Sequence, residues 1–193
     1  VTPTHVVDKA TKLETIFDRI EVINTRFEVL KRDAKIEYLE QLSSQKNQVN
    51  KEKIKFDYNQ KIKKLNDDQE FVNNCNFGGE FMAKDLQDRV IKISKYPYFE
   101  MGEKKPFLSE HEVKNLNIPK GTLLPEERQI INDHVLHTLE MLSKLPYPKH
   151  LKNVPEYAGG HHEKMDGTGY PNGLTHSEMS TQAKIMVIAD VYE

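Results

Sequence analysis

A chain of 193 residues is long enough for one sizeable core, with or without a helical insertion, and too short for several independent domains. The composition is 37% hydrophobic and 30% charged, and no apolar run approaches the ~20 residues that a bilayer span requires. With 28 basic against 30 acidic residues the net charge is -2, which excludes general electrostatic capture of a nucleic acid polymer or an anionic membrane. Glycine and proline are absent from Thr4 to Phe77, so that stretch is predicted to be helical. Within it, Ile16, Ile20, Ile23, Phe27 and Leu30 recur at spacings of four and three and form one amphipathic stripe. From Lys31 to Asn66 the apolar residues thin out and ten Lys or Arg face five Asp or Glu, a local surplus of +5. Ile54, Tyr58, Ile62 and Leu65 still mark a helical face, and Ser43-Ser44 with Asn47 to Asn50 is the place to reverse. The reading is a charged helical hairpin whose role is spacing or oligomer contact, since interleaved acids and few aromatics make a poor nucleic-acid stripe.

Gly78-Gly79 punctuates before a short helix with Leu86, Val90 and Ile93 on one face. Residues 96–121 hold Pro97, Pro106 and Pro119 and read as an ordered connection with at most one helical turn after a Ser109 cap. Pro125-Glu126-Glu127 is a helix start, with proline in the first turn and acids at the positive end of the dipole, and that helix is predicted to reach about Leu145. Val154 to Glu163 reads as a further helix and Ser180 to the end as the last, with Ile185, Ile188, Ala189 and Tyr192 on one face. No strand alternation or repeat is evident, so the fold class is all-α. The single Cys75 excludes an internal disulfide and a thiolate metal cluster and fits a reducing compartment. The chain opens on Val1 and closes on Ala189-Asp190-Val191-Tyr192-Glu193, which reads as mid-helix and suggests an excised piece.

The chemistry collects in a few of the eight histidines. His5, His111, His150 and His176 lie beside caps, prolines or turns and read as surface residues, with His137 intermediate. His134 follows Ile130 and Ile131 on the long helix, facing its core side. His161-His162-Glu163 is followed by Asp166-Gly167-Thr168-Gly169-Tyr170-Pro171. Adjacent histidines on a helix point about 100° apart, which suits two neighbouring ions better than one. Glu163 in the same turn reads as ligand or orienting group. Gly167 and Gly169 allow positive φ, and Pro171 stiffens the exit. Asp190, set among Ile185, Ile188 and Val191 on a helix expected to be buried, is costly unless it is paired or coordinates metal.

The string His161-His162-Glu163-x-x-Asp166-Gly167-x-Gly169-Tyr170-Pro171 resembles the signature of the HD-GYP family, bacterial metal-dependent phosphodiesterases that hydrolyse cyclic di-GMP. Eight fixed positions match within eleven residues, with Ala189-Asp190 at the family's downstream distance. The resemblance implies an HD-type helical bundle that begins over 1–26 and resumes over 121–193, with 27–120 as an insertion. It implies His134, His161, His162 and Asp190 as metal ligands, and Glu163 and Asp166 as groups at the catalytic centre. Gly167, Gly169, Tyr170 and Pro171 would shape an adjacent loop and present a surface to a partner such as a diguanylate cyclase domain. The family's His-Asp dipeptide is absent from this sequence, which has only the reverse order Asp133-His134; its counterpart, with a nearby lysine, is expected before Val1.

By that resemblance the cofactor is a binuclear transition-metal pair, iron or manganese, and the all-nitrogen-and-oxygen donor set does not choose among first-row metals. The substrate is cyclic di-GMP and the product linear pGpG or GMP, with the 193-residue piece itself expected to be inactive. The resemblance implies a cytoplasmic domain of a bacterial sensor, membrane-anchored or not, with no membrane contact by this piece, and leaves a homodimer open. The alternative is a degenerate HD-GYP module that acts as a cyclic-dinucleotide receptor or docks a partner.

Overall fold

The computed structural model describes residues 9–15, 18–44, 47–79 and 81–192. Among them it contains seven α-helices and one two-stranded sheet, an all-α architecture. The described residues divide into two compact units, 9–124 and 125–192. His5 and Ile16 lie outside the described residues.

In the first unit, α1 (Ile20–Ser44) and α2 (Gln48–Asn76) form the expected antiparallel hairpin. Asn47 starts α2 by accepting the Val49 amide on its side chain, 3.0 Å away. The helix before Ile20 predicted from glycine and proline counts is not formed over residues 9–15. There Glu14 accepts the Ala10 and Thr11 amides at 2.9 and 3.1 Å, and Asp18 accepts the Ile20 amide at 2.9 Å, so side-chain acceptors divert the backbone into a turn. α1 then buries Ile23, Phe27, Leu30 and Ala34 against α2, which supplies Leu65 and Val72.

α3 (Lys84–Ser94) buries Val90 and Ile93, while Leu86, expected on the same face, is exposed at the helix start. A correction falls in 96–121, where β1 (Pro97–Glu100) and β2 (Glu103–Pro106) pair antiparallel. Met101 and Gly102 both take positive φ, 52° and 82°, the requirement of a two-residue hairpin turn, and methionine is not a residue that announces one. α4 (Glu110–Leu116) follows with a full capping box between Ser109 and Glu112. Phe107 sits at the middle of this unit, buried, with ring centroids of Phe27, Tyr96 and Tyr98 at 4.7, 6.0 and 6.1 Å. Buried Asp68 on α2 ties the pieces together by accepting from Arg89 at 2.7 Å and from the Tyr96 hydroxyl.

The second unit holds α5 (Pro125–Ser143), a 3-10 turn (Lys149–Leu151), α6 (Val154–Gly159) and α7 (Thr181–Tyr192). α6 ends at Gly159, four residues short of the predicted Glu163. The predicted buried face of α7 is also corrected. Ala183 is its buried residue, whereas Ile185, Ile188 and Tyr192 are exposed.

Candidate metal centre

Glycines set the approach of the helices that carry the histidines. A Cβ on Gly159 would lie 2.4 Å from a Leu139 methyl on α5, and one on Gly160 2.8 Å from the Ala183 Cβ on α7. Small residues there let α6 pack closely on α5 and α7, and the chain leaves α6 directly into His161 and His162. These two residues lie in a turn rather than on a helix, so the 100° separation expected of helical neighbours does not apply. Their ring centroids are 4.1 Å apart at 42°. His134, on α5, joins them at 5.5 Å from the His161 ring and 5.0 Å from the His162 ring. One nitrogen from each of the three falls within 4.8 Å of the others. The mid-chain and paired histidines therefore converge, and they converge on a single point.

The hydrogen bonds define which nitrogens face that point. His134 Nδ1 donates to the Ile131 carbonyl three residues earlier, and His161 Nδ1 donates to the Ala158 carbonyl at 2.5 Å, again three residues earlier. Each ring is thereby held in the tautomer that leaves a lone pair on Nε2. These two Nε2 atoms stand 3.3 Å apart. That contact is satisfied by a proton on one ring or by a cation shared between both, and a backbone carbonyl on the remote nitrogen is the usual support of a metal-bound imidazole. The donor set thus fits a first-row transition metal. Burial holds the His162 ring below the ordinary imidazole range, the neighbouring His161 and His134 act in the same sense, and Asp190 opposes them.

The carboxylates separate into different roles. Asp190 is exposed, not buried among apolar neighbours as predicted, because the α7 face that carries it is open. Its Oδ2 lies 3.5 Å from His162 Nδ1, so it reaches the site through that ring. Glu163 is 1% exposed and turns both oxygens to the backbone, accepting the Asn172 amide at 2.7 Å and the Leu174 amide at 2.8 Å. Asp166 is exposed and accepts from the Thr168 hydroxyl at 2.7 Å and amide at 3.0 Å, bonds that hold its carboxyl below the usual range. Glu163 thus has both oxygens committed to the loop backbone, whereas both Thr168 bonds fall on Oδ1 of Asp166; each carboxylate supports the loop.

The loop they support closes over the histidines. Gly167 takes the predicted positive φ of 78°, but Gly169 does not; its requirement is space, since a Cβ there would lie 2.2 Å from the Lys164 nitrogen. The Tyr170 amide donates to the His162 carbonyl at 3.2 Å, and the Tyr170 ring lies 4.9 Å from the His162 ring. Pro171 follows through a cis peptide bond. Sequence reasoning passed over Thr175-x-x-Glu178, which closes the loop's far end: Glu178 accepts the Thr175 amide at 2.9 Å. The Thr-x-x-Glu spacing was the available signal. The Ile131 and Ala158 carbonyls leave no trace in side-chain identity.

Residues 111–193 match the family model described as HD domain. The relatives agree with the HD-GYP resemblance of residues 161–171. A 3'3'-cGAMP-specific phosphodiesterase of Vibrio cholerae is 38% identical over 74 residues, which cover 38% of this chain and 15% of that protein. A cyclic di-GMP phosphodiesterase of Thermotoga maritima is 33% identical over 119 residues, covering 55% and 32%. A second Vibrio cholerae protein, a cyclic di-GMP phosphodiesterase, is 32% identical over 93 residues, covering 43% and 19%. The chain therefore spans less than a third of the length of each of these relatives. No solved structure matches it.

Proposed function

We propose that this chain is part of a metal-dependent phosphodiesterase that hydrolyses a cyclic dinucleotide, with cyclic di-GMP as substrate and linear pGpG, or GMP after a second cut, as product. The observation that carries the reading is the convergence of His134, His161 and His162, one nitrogen of each within 4.8 Å of the others and the Nε2 atoms of His134 and His161 3.3 Å apart. A bound transition metal supplies a nucleophile at neutral pH and counter-charge for phosphate. His134, His161 and His162 hold it, and Asp190 orients His162. The metal is iron or manganese, a pair in the assembled domain, with the remaining ligands from the His-Asp element that this sequence lacks. Glu163 and Asp166 act as positioning residues that hold the 166–176 loop, and Tyr170 and Pro171 form its outer edge, where a diguanylate cyclase domain would dock. The division into 1–26, 27–120 and 121–193 is one of descent, and the setting is the cytoplasm. Among the described residues, no helix is long and apolar enough to cross a membrane.

The test is turnover of cyclic di-GMP and of 3'3'-cGAMP by the longer protein, loaded with iron or manganese under low oxygen. Cyclic di-GMP should be linearised, and His161→Ala or His162→Ala should each remove turnover while helicity persists. Wild-type turnover in either variant would remove that residue from the site. Binding without turnover would favour a receptor, and the 193-residue chain alone should show little hydrolysis.

A further inference from the structure

The outward face of α1 carries apolar residues that its own unit does not cover. Ile23, Phe27, Leu30 and Ala34 face inward and are buried. On the opposite side Val22, Val29 and Ile36 recur every seven residues, with Leu39 three further on. Val22, Ile36 and Leu39 are 43%, 55% and 49% exposed. From Val22 to Leu39 the stripe runs about 26 Å at ~1.5 Å per residue. A seven-residue apolar spacing on one helix face is the pattern of a coiled-coil seam.

We infer that this stripe is the seam of a homodimer in which α1 packs antiparallel on α1 of a second copy of this chain. Charge along the stripe selects the occupant and the direction. Glu28 and Lys35 flank Val29 and Ile36 on one side, and Arg32 lies within the stripe. With the two helices antiparallel, Val22 meets Leu39 of the second copy and Thr25 meets Ile36. In the same register Glu28 meets Lys35 and Arg32, twice over by symmetry. A parallel pair would instead set Arg32 directly on Arg32 within the seam and Glu28 beside Asp33 of the second copy, like charges that disfavour that direction. The Glu28 carboxylate, now 2.8 Å from Lys31, is 54% exposed and remains open to a second cation. Arg32 lays its aliphatic stem along Val29 of the other copy, and a polar residue in a seam fixes register. The outward face of α2 also places apolar residues seven apart, Val49 and Phe56, at 72% and 61% exposure. Lys53, Lys55 and Lys63 surround it, so a self-pair there would bring like charges together.

The mass of the whole chain measured by sedimentation equilibrium at about 10 to 100 μM tests the seam. A dimer is expected, and Ile36→Glu or Leu39→Glu should weaken it at least tenfold with helicity unchanged. Glu28→Lys should weaken it too, and adding Lys35→Glu should restore it, a rescue that does not depend on how well the apolar variants fold. In a Cys75→Ser background, a chain carrying Thr25→Cys and Ile36→Cys should cross-link between copies, while Ile36→Cys alone should not. A monomer at the highest concentration would overturn the proposal. So would a dimer indifferent to Ile36→Glu, cross-linking by Ile36→Cys alone, or a cysteine at position 36 that resists alkylation because the same chain covers it.

Discussion

The two units differ in how much hydrocarbon they enclose. In residues 9–124 the fully enclosed side chains are mainly hydrocarbon and aromatic, Leu13, Ile23, Phe27, Val72, Ile93 and Phe107 among them, in one continuous cluster. In the second unit the buried residues among those described are Val135, Met179, Ala183, Gly159, Gly160 and the carboxylate of Glu163. The first unit adds buried polar ties at Asp68, Asn76, Glu112 and Asn115 to a large apolar core, whereas the second has a small apolar core, close backbone approach at its glycines and one buried carboxylate. A metal ion on three imidazoles would add to the second unit a stability that its hydrocarbon does not provide.

Phe107→Ala removes the ring on which three others rest, and a loss of about 3 to 5 kcal/mol is expected in the first unit, read as a lowered unfolding midpoint. Metal affinity at His134, His161 and His162 should stay unchanged. A joint loss of both would merge what the comparison separates. Glu163→Gln keeps the side-chain shape but replaces one acceptor with a donor facing an amide, which weakens the loop by about 1.5 to 3 kcal/mol. Amide exchange at Asn172 and Leu174 should rise sharply, and metal affinity should fall about 10- to 100-fold while the core around Phe107 keeps its protection.

The first unit also carries an acid-sensitive tie. Burial works against the charge on Glu112, but the Arg26 guanidinium at 2.8 Å and the Ser109 amide outweigh it, so its carboxyl lies below the ordinary range when folded. A depressed folded value means that this stabilisation is present above the unfolded carboxylate value of about 4.3 and is lost as pH falls through the folded one. Chemical unfolding measured against pH should show that acid limb, flattened in Glu112→Gln. The smallest change is Ser109→Ala, which removes one bond of the capping box and should cost about 1 kcal/mol in thermal unfolding.

The sequence was most informative where a local rule acts alone. The Ser109 cap, the turn between α1 and α2 and the Pro125 helix start were readable from spacing and residue type, and the grouping of His134 with His161 and His162 came from the HD-GYP resemblance. It failed where several weak preferences compete over distance. Residues 9–15 turn because Glu14 and Asp18 offer better acceptors than the helix does, and 97–106 form a hairpin on a methionine that accepts positive φ. The site was legible as a set of imidazoles and not as a geometry. Which nitrogen faces inward is set by the Ile131 and Ala158 carbonyls, and backbone atoms carry no letter. The burial expected of α7 failed because periodicity shows that a face is apolar without showing what covers it.

The central claim is that His134, His161 and His162 present lone pairs to one cation. Anaerobic titration of the whole chain with cobalt(II), followed through its visible absorption, tests it most directly. One bound ion is predicted, with affinity reduced more than about 100-fold by His134→Ala and by His161→Ala. Binding that survives both substitutions unchanged would contradict it.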